Sequence, residues 1–148
     1  ILLGISNCCP DITALHPGYK ETLKALEIAK LKRQRDMVVF ASDLGHLSIL
    51  LDARRPEELE KYADRRLGAL ARYDRQYNTE FVKTLYYYIY NECNLYKCAR
   101  VMNVSVSGMR YRLNRIKELT QLDLGNASAR FEMQMALEIY LILGKIAL

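Results

Sequence analysis

Histidine, cysteine and acidic residues are the side chains of this sequence with which a protein could perform catalysis or hold a metal ion. Neither histidine, His16 or His46, lies in a nucleophile motif or beside a Cys-x-x-Cys pair. The acidic residues are dispersed at expected helix starts and polar faces, where capping and solvation account for them. The spacing of the four cysteines fits no zinc site; they are Cys8, Cys9, Cys93 and Cys98. We therefore predict reduced thiols, no metal site, no cofactor, no catalytic residue and no enzyme activity.

Positive charge is concentrated in one segment of the chain, residues 94–120. The whole chain has a formal net charge of +5. The segment contains six basic residues and a single acidic residue, Glu118, so it carries the entire excess of the chain. The six basic residues are Lys97, Arg100, Arg110, Arg112, Arg115 and Lys117. A local excess of positive charge is typical of surfaces that bind polyanions such as DNA.

The beginning of this segment has the pattern of a short helix followed by a tight turn. Asn94 is a candidate N-cap, because its side chain can accept a hydrogen bond from the first turn. The apolar residues after it recur at i, i+3, i+4 and i+7, which is one helical face; they are Leu95, Cys98, Ala99 and Met102. Asn103 tolerates the left-handed backbone that a tight turn can require, and Val104 can fill the corner between two helices.

A second helix is predicted at residues 106–119, with Ser105 or Ser107 as its cap. Met109, Leu113 and Ile116 have the spacing of its buried stripe. The two helices and their tight turn predict a helix-turn-helix. A short helix and a basic helix also occur in ordinary bundles, where a basic face is only solvated.

The face of the second helix opposite the buried stripe is the candidate DNA-binding surface. A major groove admits such an exposed helix and makes base edges distinguishable. Residues near its N-terminus are expected to read bases, while Arg110 and Arg112 fix the register on phosphates. The candidate DNA-binding residues are Lys97, Ser105, Val106, Ser107, Gly108, Arg110, Tyr111, Arg112, Asn114 and Arg115.

The first third of the chain predicts a small α/β fragment. Apolar runs at residues 1–5 and 37–40 are typical of buried strands, and residues 17–32 between them have helical spacing. Asp43 is a candidate cap for a short helix that follows the second run. Two strands are too few for a stable sheet, so we expect their apolar surface to stay partly exposed, which favours dimerisation.

The rest of the chain predicts helices. Pro56 suits the first position of a helix that we expect to end at about Tyr73. Asn78 or Thr79 is the expected cap of the next helix. The last helix, at about 129–143, is apolar on more than one face. It could pack entirely within the bundle, or it could contribute to a homodimer.

The predicted fold is mainly α, a helical bundle that contains the helix-turn-helix and follows a strand–helix–strand fragment. We place the two domains at residues 1–53 and 54–148. No apolar run is long enough to span a bilayer, so we expect a cytoplasmic chain with no membrane contact. Because the chain begins with Ile1 rather than methionine, we expect it to be part of a longer protein.

Residues 94–120 resemble the C-terminal helix-turn-helix of the PucR/CdaR family of bacterial transcription regulators. The similarity is strongest over the run Met-Arg-Tyr-Arg-Leu-Asn-Arg-Ile at 109–116. The front section, with Val-Val-Phe at 38–40 and Asp-Leu-Gly at 43–45, resembles the end of the GGDEF-like domain that precedes the DNA-binding module in these regulators. The resemblance implies sequence-specific binding of double-stranded DNA by a regulator of catabolic genes, with an effector-sensing domain upstream. It implies no diguanylate cyclase activity, since the Gly-Gly-Asp-Glu-Phe sequence is absent.

One departure from the family concerns the expected base-reading residues. The family often has His-Arg-Asn-Thr where this chain has Ser105, Val106, Ser107 and Gly108. An unusual operator is one consequence of this departure. The alternative is a helical dimerisation or protein-interaction module of a regulator, in which specific DNA binding is weak or lost.

Overall fold

The computed structural model describes residues 1–33, 36–53, 55–146 and 148. The described residues divide into two compact units, one covering Ile1–Pro56 together with Leu148 and the other covering Glu57–Ile146. Helices predominate among the described residues, and the sheet seen there has two strands, which confirms the predicted fold class. The assignment of residues 1–53 and 54–148 to two domains stays a prediction.

A helix that connects two parallel strands forms the first unit. Strands β1 (Leu2–Ile5) and β2 (Met37–Phe40) pair in parallel, with Leu2 opposite Met37. Parallel strands need a long crossover connection, which helix α1 (Leu15–Leu31) provides. This helix packs against both strands and buries Ala25, Ile28 and Ala29. A Cβ atom at Gly4 would lie 2.8 Å from Thr22 Cγ2, so this glycine allows α1 to approach β1 closely.

The other face of the sheet is exposed. Leu3 lies opposite Val38 and Ile5 lies opposite Phe40 in the register, so these four side chains share one face. All four are exposed, between 37% for Ile5 and 53% for Leu3. The expected partial exposure of the apolar strand surface is therefore confirmed on this face, because α1 covers only the opposite side.

A turn of 3₁₀ helix (Ala41–Leu44) precedes α2 (His46–Leu51) in the first unit. The predicted capping role of Asp43 is wrong. This residue lies inside the 3₁₀ turn, and Gly45 is the N-cap residue of α2. Gly45 adopts a φ of 52°, a backbone conformation that favours glycine, and it starts the helix without a side-chain cap.

The second unit contains five helices among its described residues: α3 (Pro56–Tyr77), α4 (Phe81–Tyr90), α5 (Leu95–Val101), α6 (Val106–Thr120) and α7 (Ala127–Ile142). Helix α3 begins at Pro56 as predicted, because proline lacks the N–H group that a first helical residue leaves unpaired. It extends beyond the expected end at Tyr73. Its end coincides with a left-handed residue, Asn78, with a φ of 51°.

The N-terminus of α4 is capped by a residue of α3. The Asp74 carboxylate accepts hydrogen bonds from Phe81 N over 2.8 Å and from Val82 N over 2.9 Å. Thr79 Oγ1 donates to the same carboxylate. Neither Asn78 nor Thr79 caps α4, so that expectation was wrong: a carboxylate from the preceding helix already occupies the site.

Helix α7 packs within the second unit. Most of its apolar side chains are buried, and the fully buried ones include Met133, Leu137 and Leu141, whereas Phe131 is exposed. Of the two roles left open for this helix, packing within the bundle accounts for nearly all of its apolar surface. None of the helices in the described parts of the chain is both long and apolar enough to cross a membrane.

Candidate nucleic-acid interface

The first helix of the predicted helix-turn-helix is α5. Asn94 Oδ1 accepts a hydrogen bond from Lys97 N over 3.0 Å, which confirms Asn94 as the cap. Cys98 and Ala99 are buried, as their spacing predicted. They form a cluster with Met109 of α6, and the small side chain of Ala99 suits a close crossing of the two helices.

The turn between α5 and α6 has the predicted conformation. Asn103 adopts a left-handed φ of 52°. Val104 N then donates a hydrogen bond to Ala99 O over 3.0 Å, and the Val104 side chain packs against the cluster of Cys98, Ala99 and Met109. The corner between the two helices is therefore filled by an apolar residue, as the sequence predicted.

Helix α6 begins with a side-chain cap from Ser105. Its Oγ atom accepts a hydrogen bond from Gly108 N over 3.0 Å, so Ser105 rather than Ser107 is the cap. A Cβ atom at Gly108 would lie 3.0 Å from that same Oγ atom, so glycine leaves room for the cap. Met109 and Ile116 are fully buried, and Leu113 is half-buried and packs against the cluster of Cys98, Ala99 and Met109. The predicted stripe therefore lies on the inner side of α6, which fixes the side that faces outward.

The outward side of α6 is a continuous surface, which we call the α6 outer face. It is a shallow depression lined by Val106, Ser107, Arg110, Tyr111 and Asn114. All five are exposed, and Tyr111 is exposed to 65%. Their spacing of one and four residues places them on one side of the helix over two turns. The structure thus brings together five of the ten candidate residues.

Arg112 points away from this surface, toward α4. Its Nη1 atom donates a hydrogen bond to Thr84 Oγ1 over 3.2 Å, and Thr84 is fully buried. Thr84 Oγ1 in turn donates to Glu80 O over 2.7 Å, so the hydroxyl is engaged in both directions. We therefore revise the role expected for Arg112, from a phosphate contact to a residue that holds α6 against α4.

Arg115 is also occupied within the protein. Its guanidinium lies over the ring of Tyr73 in α3, 5.3 Å from the ring centroid. Its Nη1 atom is 2.7 Å from Glu118 Oε2, and this hydrogen bond raises the pKa of Arg115. We therefore also revise the role expected for Arg115, from a residue of the DNA-facing surface to a structural one, because its side chain lies against α3.

Lys97 lies on α5, outside the α6 outer face. Its Nζ atom is 3.1 Å from Glu92 Oε2, and about half of the side chain is exposed. An exposed ion pair of this kind is weak and can open when a phosphate competes for the lysine. Lys97 therefore remains a candidate for a contact with a DNA phosphate.

Thr84 and Tyr73, the partners of Arg112 and Arg115, were not singled out in the sequence. No local pattern marks them, since Thr84 is 28 residues from Arg112 and reaches it only because α4 crosses α6.

Possible metal ligands do not assemble in the described residues, where no group of three His, Cys, Asp or Glu side chains is placed to hold a metal ion. The four cysteines are free thiols. Burial raises the pKa of the Cys98 thiol, which disfavours the reactive thiolate.

Comparison with known proteins places a family match over this part of the chain. The model of the PucR C-terminal helix-turn-helix domain matches residues 81–139, from the start of α4 into α7. The chain is 25% identical over 138 residues to the proline-responsive transcriptional activator PutR of Bacillus subtilis (strain 168), a match that covers 93% of this chain and 34% of PutR.

Two further relatives come from the same organism. The DNA-binding transcriptional activator AdeR is 26% identical over 140 residues, which is 92% of this chain and 32% of AdeR. The purine catabolism regulatory protein is 26% identical over 141 residues, which is 94% of this chain and 26% of that protein. The chain thus spans about a third or less of the length of these relatives. No solved structure gives a significant match. Residues 81–139 are therefore similar to the PucR C-terminal helix-turn-helix domain.

Proposed function

We propose that this chain binds double-stranded DNA through α6, as the DNA-binding part of a bacterial transcription regulator of catabolic genes. The observation that carries the proposal is the two-sided character of α6. Met109 and Ile116 are buried on one side, whereas Arg110, Tyr111 and Asn114 are exposed on the other. A helix held in this way can enter a major groove without losing its packing.

The candidate residues divide into two roles under this proposal. The α6 outer face and the start of the helix, at Ser105 and Gly108, contact DNA directly. Backbone N–H groups at a helix N-terminus favour phosphate, which supports a contact with a DNA phosphate there. Lys97 adds a second phosphate contact. Arg112 contacts α4 and Arg115 contacts α3, and these contacts keep the orientation of α6 fixed.

The names of the relatives support the assignment to catabolic genes. They are described as a proline-responsive activator, a DNA-binding activator and a purine catabolism regulator. We propose a similar regulator here, with an effector-sensing domain in the full-length protein and residues 1–53 as the C-terminal part of a GGDEF-like domain. A DNA-binding role places the protein in the cytoplasm and requires neither a cofactor nor catalytic activity.

We further propose that this chain forms a homodimer. The apolar sheet face around Leu3 and Val38 is exposed, and two copies could cover it. A dimer also suits a palindromic operator, in which two half-sites lie about 34 Å apart.

The experiment that tests DNA binding is a titration of a fluorescent 30-base-pair duplex, followed by anisotropy. Arg110→Glu should weaken binding at least tenfold, because it reverses a charge on the α6 outer face. The matched control is Arg65→Glu, which makes the same charge change at an exposed position of α3. Equal losses in the two variants would contradict binding through α6, and no binding by the unmodified chain would contradict the function.

A further inference from the structure

The structure distinguishes the three arginines of α6, and from this we infer which side chains read the DNA sequence. Given the proposed DNA binding, on which this inference rests, we propose that Arg110 and Asn114 recognise a guanine and an adenine about two base pairs apart in each half-site. Arg112 and Arg115 position α6 and carry no sequence information. This replaces the phosphate contact expected for Arg110.

The first step is that Arg110 is available while its neighbours are occupied. Arg112 donates to Thr84 Oγ1, and Arg115 lies over Tyr73 and pairs with Glu118. Within the described part of the chain, Arg110 makes no side-chain hydrogen bond or ion pair, and it is exposed. Its planar guanidinium therefore keeps all its donors for a ligand.

The second step identifies the two polar side chains of the α6 outer face that can recognise a base. Ser107 Oγ lies 3.1 Å from Ser105 Oγ, so its hydroxyl is engaged at the cap of the helix. Asn114 is exposed, and its carboxamide makes no hydrogen bond to any other described residue. Tyr111 offers a single phenol hydroxyl, whereas a guanidinium and a carboxamide each present two hydrogen-bonding groups side by side. Arg110 and Asn114 are thus the polar side chains of this face that can form a paired hydrogen bond with a base edge.

The third step is chemical. In the major groove, guanine presents two acceptors, which match the paired donors of an arginine. Adenine presents one acceptor and one donor, which match the carboxamide of an asparagine. No other base offers either pattern, so the pair of side chains defines the pair of bases.

The fourth step is the spacing. Arg110 and Asn114 are one helical turn apart on the same side of α6, a rise of about 6 Å. Base pairs follow one another at about 3.4 Å, so residues one turn apart reach bases about two steps apart when the helix lies along the groove.

The test is a selection of bound duplexes from a random pool, carried out with the full chain and sequenced. The unmodified protein should enrich half-sites with a guanine and an adenine about two positions apart. Arg110→Ala should remove the preference for guanine alone, and Asn114→Ala the preference for adenine alone. Each lost preference should amount to about 5- to 150-fold, the range for a bidentate base contact.

Arg65→Ala is the matched control, and its selected sequences should equal those of the unmodified chain. Thermal unfolding of each variant shows whether the fold is intact, which these exposed positions should preserve. DNA binding with unchanged base preferences in Arg110→Ala or Asn114→Ala would overturn the inference and leave the proposed function in place. A uniform loss of affinity for all duplexes in Arg110→Ala would also overturn it, because that is the behaviour of a phosphate contact. Failure of the unmodified chain to bind any duplex would overturn both.

Discussion

The Nη1 atom of Arg112 donates a hydrogen bond to Thr84 Oγ1 over 3.2 Å and so joins the exposed helix α6 to the buried side of α4. A basic residue in the helix-turn-helix segment therefore has a structural role. Its charge is half-buried, and Thr84 is fully buried. The orientation of the α6 outer face depends on contacts of this kind behind it.

Removing the Thr84 hydroxyl, which accepts the hydrogen bond of Arg112, tests this contact. Thr84→Val preserves the shape of the side chain but leaves the half-buried Arg112 without that partner. We expect a loss of about 1–3 kcal/mol in the free energy of unfolding, measured by urea denaturation. Thr120→Val is the matched control, because Thr120 Oγ1 also donates to a carbonyl four residues earlier, Ile116 O, and has no arginine partner among the described residues. Similar losses in both variants would show that the Arg112 contact contributes nothing.

The cap that Asp74 supplies to α4 gives a second prediction. Asp74→Ala removes the acceptor of two backbone N–H groups, and we expect a loss of about 1–2 kcal/mol in the free energy of unfolding, typical of a lost N-cap. Asn78→Gly is the comparison at the position where a local cap was expected. Asn78 has a left-handed φ that glycine adopts freely, so we expect a change within about 0.5 kcal/mol. A larger loss of stability in Asn78→Gly than in Asp74→Ala would contradict capping by Asp74.

The sequence predicted the local features of the site and not its long-range contacts. The caps at Asn94 and Ser105 and the buried stripe of α6 follow from residue types within one or two helical turns. The role of Asp74 was missed because it caps a helix from seven residues upstream of Phe81, beyond the usual cap position. The partners of Arg112 and Arg115 depend on how helices cross, which one-dimensional spacing does not specify.

The buried Tyr86 and its stacking partner Tyr90 predict a pH dependence of stability. Burial, and after it the nearby carboxylate of Glu138, raises the pKa of Tyr86 to about 12. Tyr90, which stacks on Tyr86 and donates a hydrogen bond to Glu138, also has a raised pKa. A raised pKa in the folded state means that the unfolded chain loses these protons first. The contribution to stability is therefore complete below about pH 10 and declines as the pH rises toward 12.

Urea denaturation at several pH values between 9 and 12 measures this decline. Tyr86→Phe should reduce the slope of the free energy of unfolding against pH, by up to about 1.4 kcal/mol per pH unit for one group. Tyr96→Phe, which removes a phenol at a position 65% exposed, should leave the slope unchanged. An unaltered slope in Tyr86→Phe would refute the assignment to Tyr86.

Dimerisation through the exposed sheet face is tested by sedimentation velocity. The unmodified chain should sediment as a dimer at high concentration, and Val38→Lys should shift it to a monomer, because the lysine charge would be buried in the interface. Ile49→Lys is the control, since Ile49 is 73% exposed on α2, in the same unit. A monomer at every concentration of the unmodified chain would contradict the homodimer.

The salt dependence of DNA affinity tests the central claim most directly. The full chain is titrated with one duplex at several salt concentrations, and the logarithm of the association constant is plotted against the logarithm of the salt concentration. If each protomer of a dimer neutralises about two phosphates, through Lys97 and the N-terminus of α6, the slope should be about −4. A flat slope, or no binding at low salt, would contradict DNA binding by this chain.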